Sequence, residues 1–264
     1  MSARLSSALL IAAAAVAIAL VVAPIAVVIV IAFSAGDFFA FPLPGLSTRW
    51  FAAFFADQAM RGAFLLSVTL ALIAACAAAG LGVLAALALA RRRGRGARMI
   101  ELLFMAPLVF PTIVLGLALL VFFRSIGVST WPGLLIAHTL VGVPYAFRAT
   151  LAALQSFDPV LEEAGASLGA GPARTFALVT LPNIWPGVLA GWLFAFVVSF
   201  GELNTSLFLT GPGITTLPIE IFSRLQFEGS QLVVAAASAV QVALIGVVVL
   251  IVERIIGLTR IVER

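Results

Sequence analysis

Residues 62–90 read GAFLLSVTLALIAACAAAGLGVLAALALA, and residues 91–98 continue as RRRGRGAR. The first stretch carries no charge over 29 positions, and the second places five arginines within eight. A membrane-crossing helix needs about 20 mostly apolar residues, and arginine collects on the cytoplasmic side of such a helix. Working outward, further uncharged runs cover 5–36, 102–123, 125–147, 175–201 and 229–252. Each is long enough to cross once. The runs are continuous rather than alternating, which argues against a transmembrane barrel. The reading is an all-α membrane protein with six transmembrane helices, joined by hydrophilic connections at 149–174 and around 37–61 and 202–228.

Composition agrees. Of 264 residues, 63% are hydrophobic and 10% are charged. Soluble domains carry about 45–50% apolar and about 25% charged residues, so a soluble enzyme, a disordered chain and a disulfide scaffold are excluded. Cys76 is the single cysteine and reads as a small hydrophobe in an apolar run. All 15 basic residues are arginine. They lie between apolar blocks rather than on a groove-facing patch, so nucleic acid is not an expected partner; the lipid bilayer is.

The first run extends from Leu5 past Phe33. A signal-peptide core is only about 7–15 residues, so a retained helix is expected. With the N-terminus inside, eleven arginines fall on inside segments and four on outside ones (Arg49, Arg61, Arg124 and Arg224). Both termini are therefore expected in the cytoplasm. Trp50, Phe51, Phe54 and Phe55 share one face of a short outside helix, expected to lie along the membrane surface.

The inside connection 155–182 carries the most information. Asp158 suits a helix N-cap, Pro159 the first helical position and Gly169 the stop. Leu161, Ala164, Gly165 and Leu168 recur at helical spacing on one face, with Glu162 and Glu163 away from it. A second short helix is expected after Gly171-Pro172, ending at Leu181-Pro182. Small residues on such a pair let a partner's groove approach the backbone; a folded loop with no partner is the plainer reading.

Glu163-Ala164-Gly165, then Gly169, then Val179-Thr180-Leu181-Pro182 match without a gap the cytoplasmic signature of the permease subunits of ABC importers, which is E-A-A, three residues, G, nine residues, I-x-L-P. Gly165 replaces the second alanine and Val179 the isoleucine. The chain thus resembles a binding-protein-dependent transport inner-membrane component. Ser156-Phe157-Asp158, Ala190-Gly191-Trp192, Ser199-Phe200-Gly201-Glu202, Leu209-Thr210-Gly211-Pro212 and Thr216-Leu217-Pro218 make it similar to the spermidine/putrescine-type branch.

The resemblance implies a type I ABC importer permease fold in the bacterial cytoplasmic (inner) membrane, as a single transmembrane domain over 1–264. It implies that the helix Pro159–Leu168 couples to a separate ABC ATPase dimer through Glu162, Glu163, Ala164, Gly165, Leu168, Gly169, Leu181 and Pro182. A second permease subunit and an extracytoplasmic solute-binding protein, docking on 37–61 and 202–228, are implied as further partners. The chain has no lysine and so no P-loop; ATP and Mg belong to the ATPase, and this chain is expected to be no enzyme and to hold no cofactor.

Charge at membrane depth is costly and usually functional. Glu202 leads the substrate-path candidates, with Tyr145, Ser199, Phe200 and Asn204; its carboxylate suits a small cation such as spermidine or putrescine, while capping a loop is its plainer role. Tyr145 is the weaker candidate, and a membrane-interface anchor is its plainer role. Iron(III), thiamine or a phosphonate are alternative cargoes. A secondary transporter or channel would need an ionisable relay, and the spans offer little besides His138, which reads as a buried hydrogen-bonding group. An intramembrane hydrolase is suggested only by G-x-S-x-G at 165–169, without the strand and following histidine that motif requires. Gly187 and Gly191 form a G-x-x-x-G packing pattern. The arginine cluster 91–98 could meet anionic lipid head groups, though orientation accounts for it.

Overall fold

The structure is a computed structural model that describes residues 2–92, 94–227, 229 and 231–257. Of the arginines counted for orientation, Arg93, Arg260 and Arg264 lie outside the described residues, as does the side chain of Arg4. The helices are α1 Ser2–Ala32, α2 Arg49–Ala56, α3 Gln58–Ala90, α4 Arg95–Val109, α5 Thr112–Ile126, α6 Thr130–Ser156, α7 Val160–Ser167, α8 Pro172–Thr175, a π-helical turn Phe176–Thr180, α9 Leu181–Phe200, α10 Ser206–Leu209, α11 Leu217–Phe227 and α12 Gln231–Ile256. Among the described residues, bridge pairing is confined to Ser34 with Leu46 and Gly211 with Ile214.

Five helical stretches are long and apolar enough to cross a membrane, and the count is six if the bent pair α4–α5 is taken as one span. The uncharged run 102–123 is therefore not one straight helix: its two halves meet at 102°. Pro111 lacks an N–H and pushes the residue before it out of the helical region, and Phe110 is accordingly extended, with φ −81° and ψ 138°.

The helix expected to stop at Leu181-Pro182 also behaves differently. It runs from Pro172 to Phe200 as one span. Pro182 cannot donate, and its ring crowds the carbonyl four residues back. The chain answers with a wider turn just before it, in which the Leu181 N–H donates to the Phe176 carbonyl. Asn183 Nδ2 caps the Val179 carbonyl at 2.7 Å. Such π-turns relieve a ladder that has lost a rung.

The described residues form two compact units, one comprising residues up to 61 with 220–244, the other 62–219 with those from 245 onward. In the first, Ala32 of α1 and Ala235, Ala236 and Ala239 of α12 leave a shallow trough that Trp50 and Phe51 of α2 fill. Trp50 Nε1 donates to the Ser34 carbonyl at 3.0 Å. Phe54 is fully buried, and only Phe55, 49% exposed, faces outward. Trp50 and Phe51 of the aromatic face thus pack against α1 and α12, where small alanines leave room for rings.

The same unit holds an ion cluster. Arg224 of α11 lies 2.8 Å from Asp57 and 2.8 Å from Glu220. Asp57 Oδ1 also accepts the Met60 N–H at 3.0 Å, capping α3. Burial pushes the Asp57 carboxyl up, but the Met60 amide and Arg224 outweigh it and hold it below the usual range. Burial likewise disfavours charge on Arg224, and Glu220 and Asp57 overcome this to raise it.

In the second unit, α6 and α9 approach closely through glycine, as the G-x-x-x-G pattern implies. A β-carbon at Gly191 would lie 2.9 Å from the Cα of Ala146, and one at Gly187 would collide with Ala153. Gly82 of α3 meets the same part of α6, where a β-carbon would lie 2.7 Å from the Phe147 nitrogen. Phe147 is buried and stacks on Phe104 of α4 at 5.3 Å.

Candidate functional site

The loop between the fourth and fifth spans folds as its residues dictate. Asp158 Oδ1 accepts the Val160 N–H at 3.0 Å, with Pro159 in the first turn. Gly169 ends the helix at φ +83°. The Ala170 N–H donates to the Gly165 carbonyl at 3.1 Å and the Gly169 N–H to that of Ala166 at 2.9 Å. That double bond pattern is the Schellman stop, and it needs a residue tolerant of positive φ.

Helix α7 then has two unlike sides. Leu161 is 44% exposed and Leu168 89% exposed, with Ala164 also uncovered. Gly165 leaves the face expected for it: a β-carbon there would point at Thr175 and Val179, 3.6 Å from each. The two glutamates also part company. Glu162 forms an ion pair with Arg91, just past the end of α3, and its Oε1 accepts from Thr180 Oγ1 at 2.6 Å. Glu163 is exposed. Leu181 is half-buried and Pro182 exposed. Ser167, the serine of G-x-S-x-G, donates to the Glu163 carbonyl within the helix at 2.9 Å.

A second constellation joins α6, α9, α10 and the start of α5. His138 is 1% exposed. Its Nδ1 lies 2.9 Å from Ser199 Oγ and its Nε2 2.9 Å from Ser206 Oγ. Ser206 Oγ donates to the Glu202 carbonyl at 3.0 Å. One proton arrangement satisfies the whole chain: Ser199 donates to Nδ1, Nε2–H donates to Ser206, and Ser206 donates onward. The tautomer is thus assigned from the network.

Glu202 is 8% exposed, and its Oε1 accepts the Thr205 N–H at 2.9 Å. Thr112, the first residue after the α4–α5 break, accepts from Asn204 Nδ2 through its hydroxyl at 3.0 Å and from Thr205 Oγ1 through its carbonyl at 3.4 Å. Ser199, Glu202 and Asn204 are therefore brought together. Phe200 is fully buried and stacks on Phe196 at 5.7 Å, so it belongs to an aromatic stack. Tyr145 is half-buried and seven residues beyond His138, about 10 Å along the helix axis, outside this group.

Sequence reasoning missed Arg91, Ser206 and Thr112. Arg91 is one of five clustered arginines and nothing in the chain singles it out. Ser206 follows Glu202 by four residues, a spacing that was open to notice. Among the described residues no three metal-ligating side chains come together, and both nitrogens of His138 are engaged by hydroxyls.

Residues 78–259, which hold both constellations, match the family described as binding-protein-dependent transport system inner membrane component. The chain belongs to that family. Among its relatives is the putrescine transport system permease protein PotI of Escherichia coli (strain K12), 41% identical over 187 residues, or 68% of this chain and 66% of that one. The chain thus spans just under two thirds of that relative's length. The spermidine/putrescine transport system permease protein PotC of Haemophilus influenzae is 33% identical over 78% of this chain and 80% of its own. In fold, the chain is similar to a chain in the crystal structure of a bacterial ABC transporter that imports the acidic polysaccharide alginate, with a TM-score of 0.73, 16% identity and coverage of 96% and 95%. This inner-membrane family is one of transport components, so the fold class and the family resemblance read from the motif both hold.

Proposed function

We propose that this chain is a permease subunit of an ATP-driven ABC importer, supplying half of the path for a small organic cation, with putrescine or spermidine as cargo. The observation that carries the reading is helix α7. It offers Leu161, Ala164 and Leu168 outward, while Glu162 pins its opposite side to Arg91 and Thr180. A push on the exposed face passes through that pin to the end of α3 and to the π-turn at the base of α9. A partner ATPase dimer binds ATP and Mg and supplies the push; this chain hydrolyses nothing.

A second permease subunit completes the path. An extracytoplasmic binding protein delivers cargo to the segments 37–61 and 202–228, and both termini lie in the cytoplasm. The chain acts as one permease domain, with 155–182 as its coupling loop. The polyamine cargo is supported by the names of the relatives and by the carboxylate of Glu202, which meets the cationic amine with Ser199 and Asn204 beside it. Tyr145 and Phe200 are lesser candidates on the path.

The test is reconstitution with the ATPase, the second permease and the binding protein in proteoliposomes. Spermidine uptake requires ATP, and Gly169→Asp abolishes it while membrane insertion stays intact. Uptake that persists without ATP and collapses with the proton gradient refutes the reading. Unchanged spermidine uptake by Glu202→Gln removes Glu202 from the path.

A further inference from the structure

We propose that the cavity at the arginine-rich end of α3 binds the phosphate head group of an anionic phospholipid. The cavity measures about 850 Å³, and Arg91, Arg92, Arg95 and Arg98 all line it. Arg91 is held by Glu162. The one carboxylate on the cavity wall, Glu101, is paired with Arg148 at 3.2 Å. The guanidinium groups of Arg92, Arg95 and Arg98 thus have no ion-pair or hydrogen-bond partner among the described residues. Three guanidinium groups facing one space repel one another until an anion joins them. Guanidinium matches phosphate oxygens two at a time.

The wall also carries an apolar part, Leu89, Leu151, Leu154 and Phe157, with Gln155 among them. A lone inorganic anion has no use for such a wall, whereas the glycerol end of a lipid does. Location points the same way. The cavity lies where α3, long and apolar enough to cross a membrane, ends at Ala90; the basic ends of such helices meet lipid head groups. Helix α4 leads away from it with Met99, Leu102 and Leu103 exposed, a surface suited to acyl chains. Topology signalling accounts for arginines being in this segment; it does not account for four of them converging on one cavity. Basic pockets beside membrane helices are a general solution for holding anionic lipid.

The experiment is native mass spectrometry of the purified full chain, titrated separately with cardiolipin, phosphatidylglycerol and phosphatidylcholine. Adducts of the two anionic lipids persist and those of phosphatidylcholine do not. Arg92→Gln, Arg95→Gln and Arg98→Gln each weaken the anionic adducts about fivefold. Arg124→Gln, outside the cavity, leaves them unchanged. Equal retention of phosphatidylcholine by the unaltered chain overturns the proposal without any variant. Displacement of the lipid by millimolar inorganic phosphate makes this a free-anion site and also overturns it. Variants that keep anionic lipid but lose a co-purifying ATPase subunit show a protein contact instead, which is equally fatal.

Discussion

Helix α7 and the knot around His138 handle polarity in opposite ways. Helix α7 turns leucines to the outside and draws one carboxylate inward. The knot buries an imidazole, two serine hydroxyls and a carboxylate, and gives each a hydrogen-bond partner. The difference separates two kinds of functional surface. An apolar face left uncovered beyond the membrane spans is incomplete by itself and gains stability only when a partner covers it. A buried network whose members are hydrogen-bonded to one another fixes the mutual placement of the helices that contribute to it.

The largest expected effect tests the incomplete side. Leu168→Asp weakens association with the ATPase by about 30-fold, the level of an interface hot spot. Its own unfolding temperature stays unchanged, because an 89% exposed side chain makes few internal contacts. Co-purification and thermal unfolding together check this. A fall in unfolding temperature with association intact would reverse the contrast drawn above.

The knot gives the opposite pattern. His138→Leu removes the acceptor of Ser199 and the donor to Ser206, costing about 3 kcal/mol, while association with the ATPase is unaffected. Adding Ser199→Ala to that variant recovers part of the loss, since the orphaned hydroxyl is gone. Simple additivity of the two substitutions would show that the hydroxyl and the imidazole do not act together.

A smaller effect comes from the Asp57–Arg224 cluster, polar like the knot but only partly buried. The folded Asp57 carboxyl titrates below its usual value, which is about 3.9 unfolded. Its stabilisation is therefore complete above about pH 4 and is lost as pH falls through the lower folded value. At the partial exposure of this pair the loss is about 1 kcal/mol. Chemical denaturation between pH 5 and pH 2.5 shows this acid limb in the natural chain, and Asp57→Asn flattens it. Parallel curves would exclude Asp57 as its source.

Much of this contrast was legible in the sequence. The cap Asp158, the stop Gly169 and the apolar runs each announce themselves, because each is a local event. What could not be read depends on which distant residues meet. Trp50 and Phe51 read in the sequence as membrane-facing rings, and the alanines of α1 and α12 give them a protein surface to pack on. Pro111 and Pro182 both sit in apolar runs, yet one breaks its span and the other is absorbed by a π-turn. Glu162 and Glu163 are neighbours of identical chemistry; their division of labour is set by Arg91, 71 positions earlier.

Gly165 carries the smallest effect and the sharpest local comparison. In the family signature this position is alanine, and glycine in a helix costs about 1 kcal/mol relative to alanine. A β-carbon here would rest 3.6 Å from Thr175 Cγ2 and Val179 Cγ2, an ordinary packing distance. Gly165→Ala is therefore expected to stiffen α7 and raise stability by a little under about 1 kcal/mol. Gly191→Ala, the same chemical change on α9, pushes a methyl to within 2.9 Å of the Ala146 Cα and destabilises by about 1–3 kcal/mol. Thermal unfolding of the two variants side by side gives opposite signs. A loss at Gly165 as large as that at Gly191 would mean that α7 is packed as tightly as the spanning helices, and so is no separately moving lever.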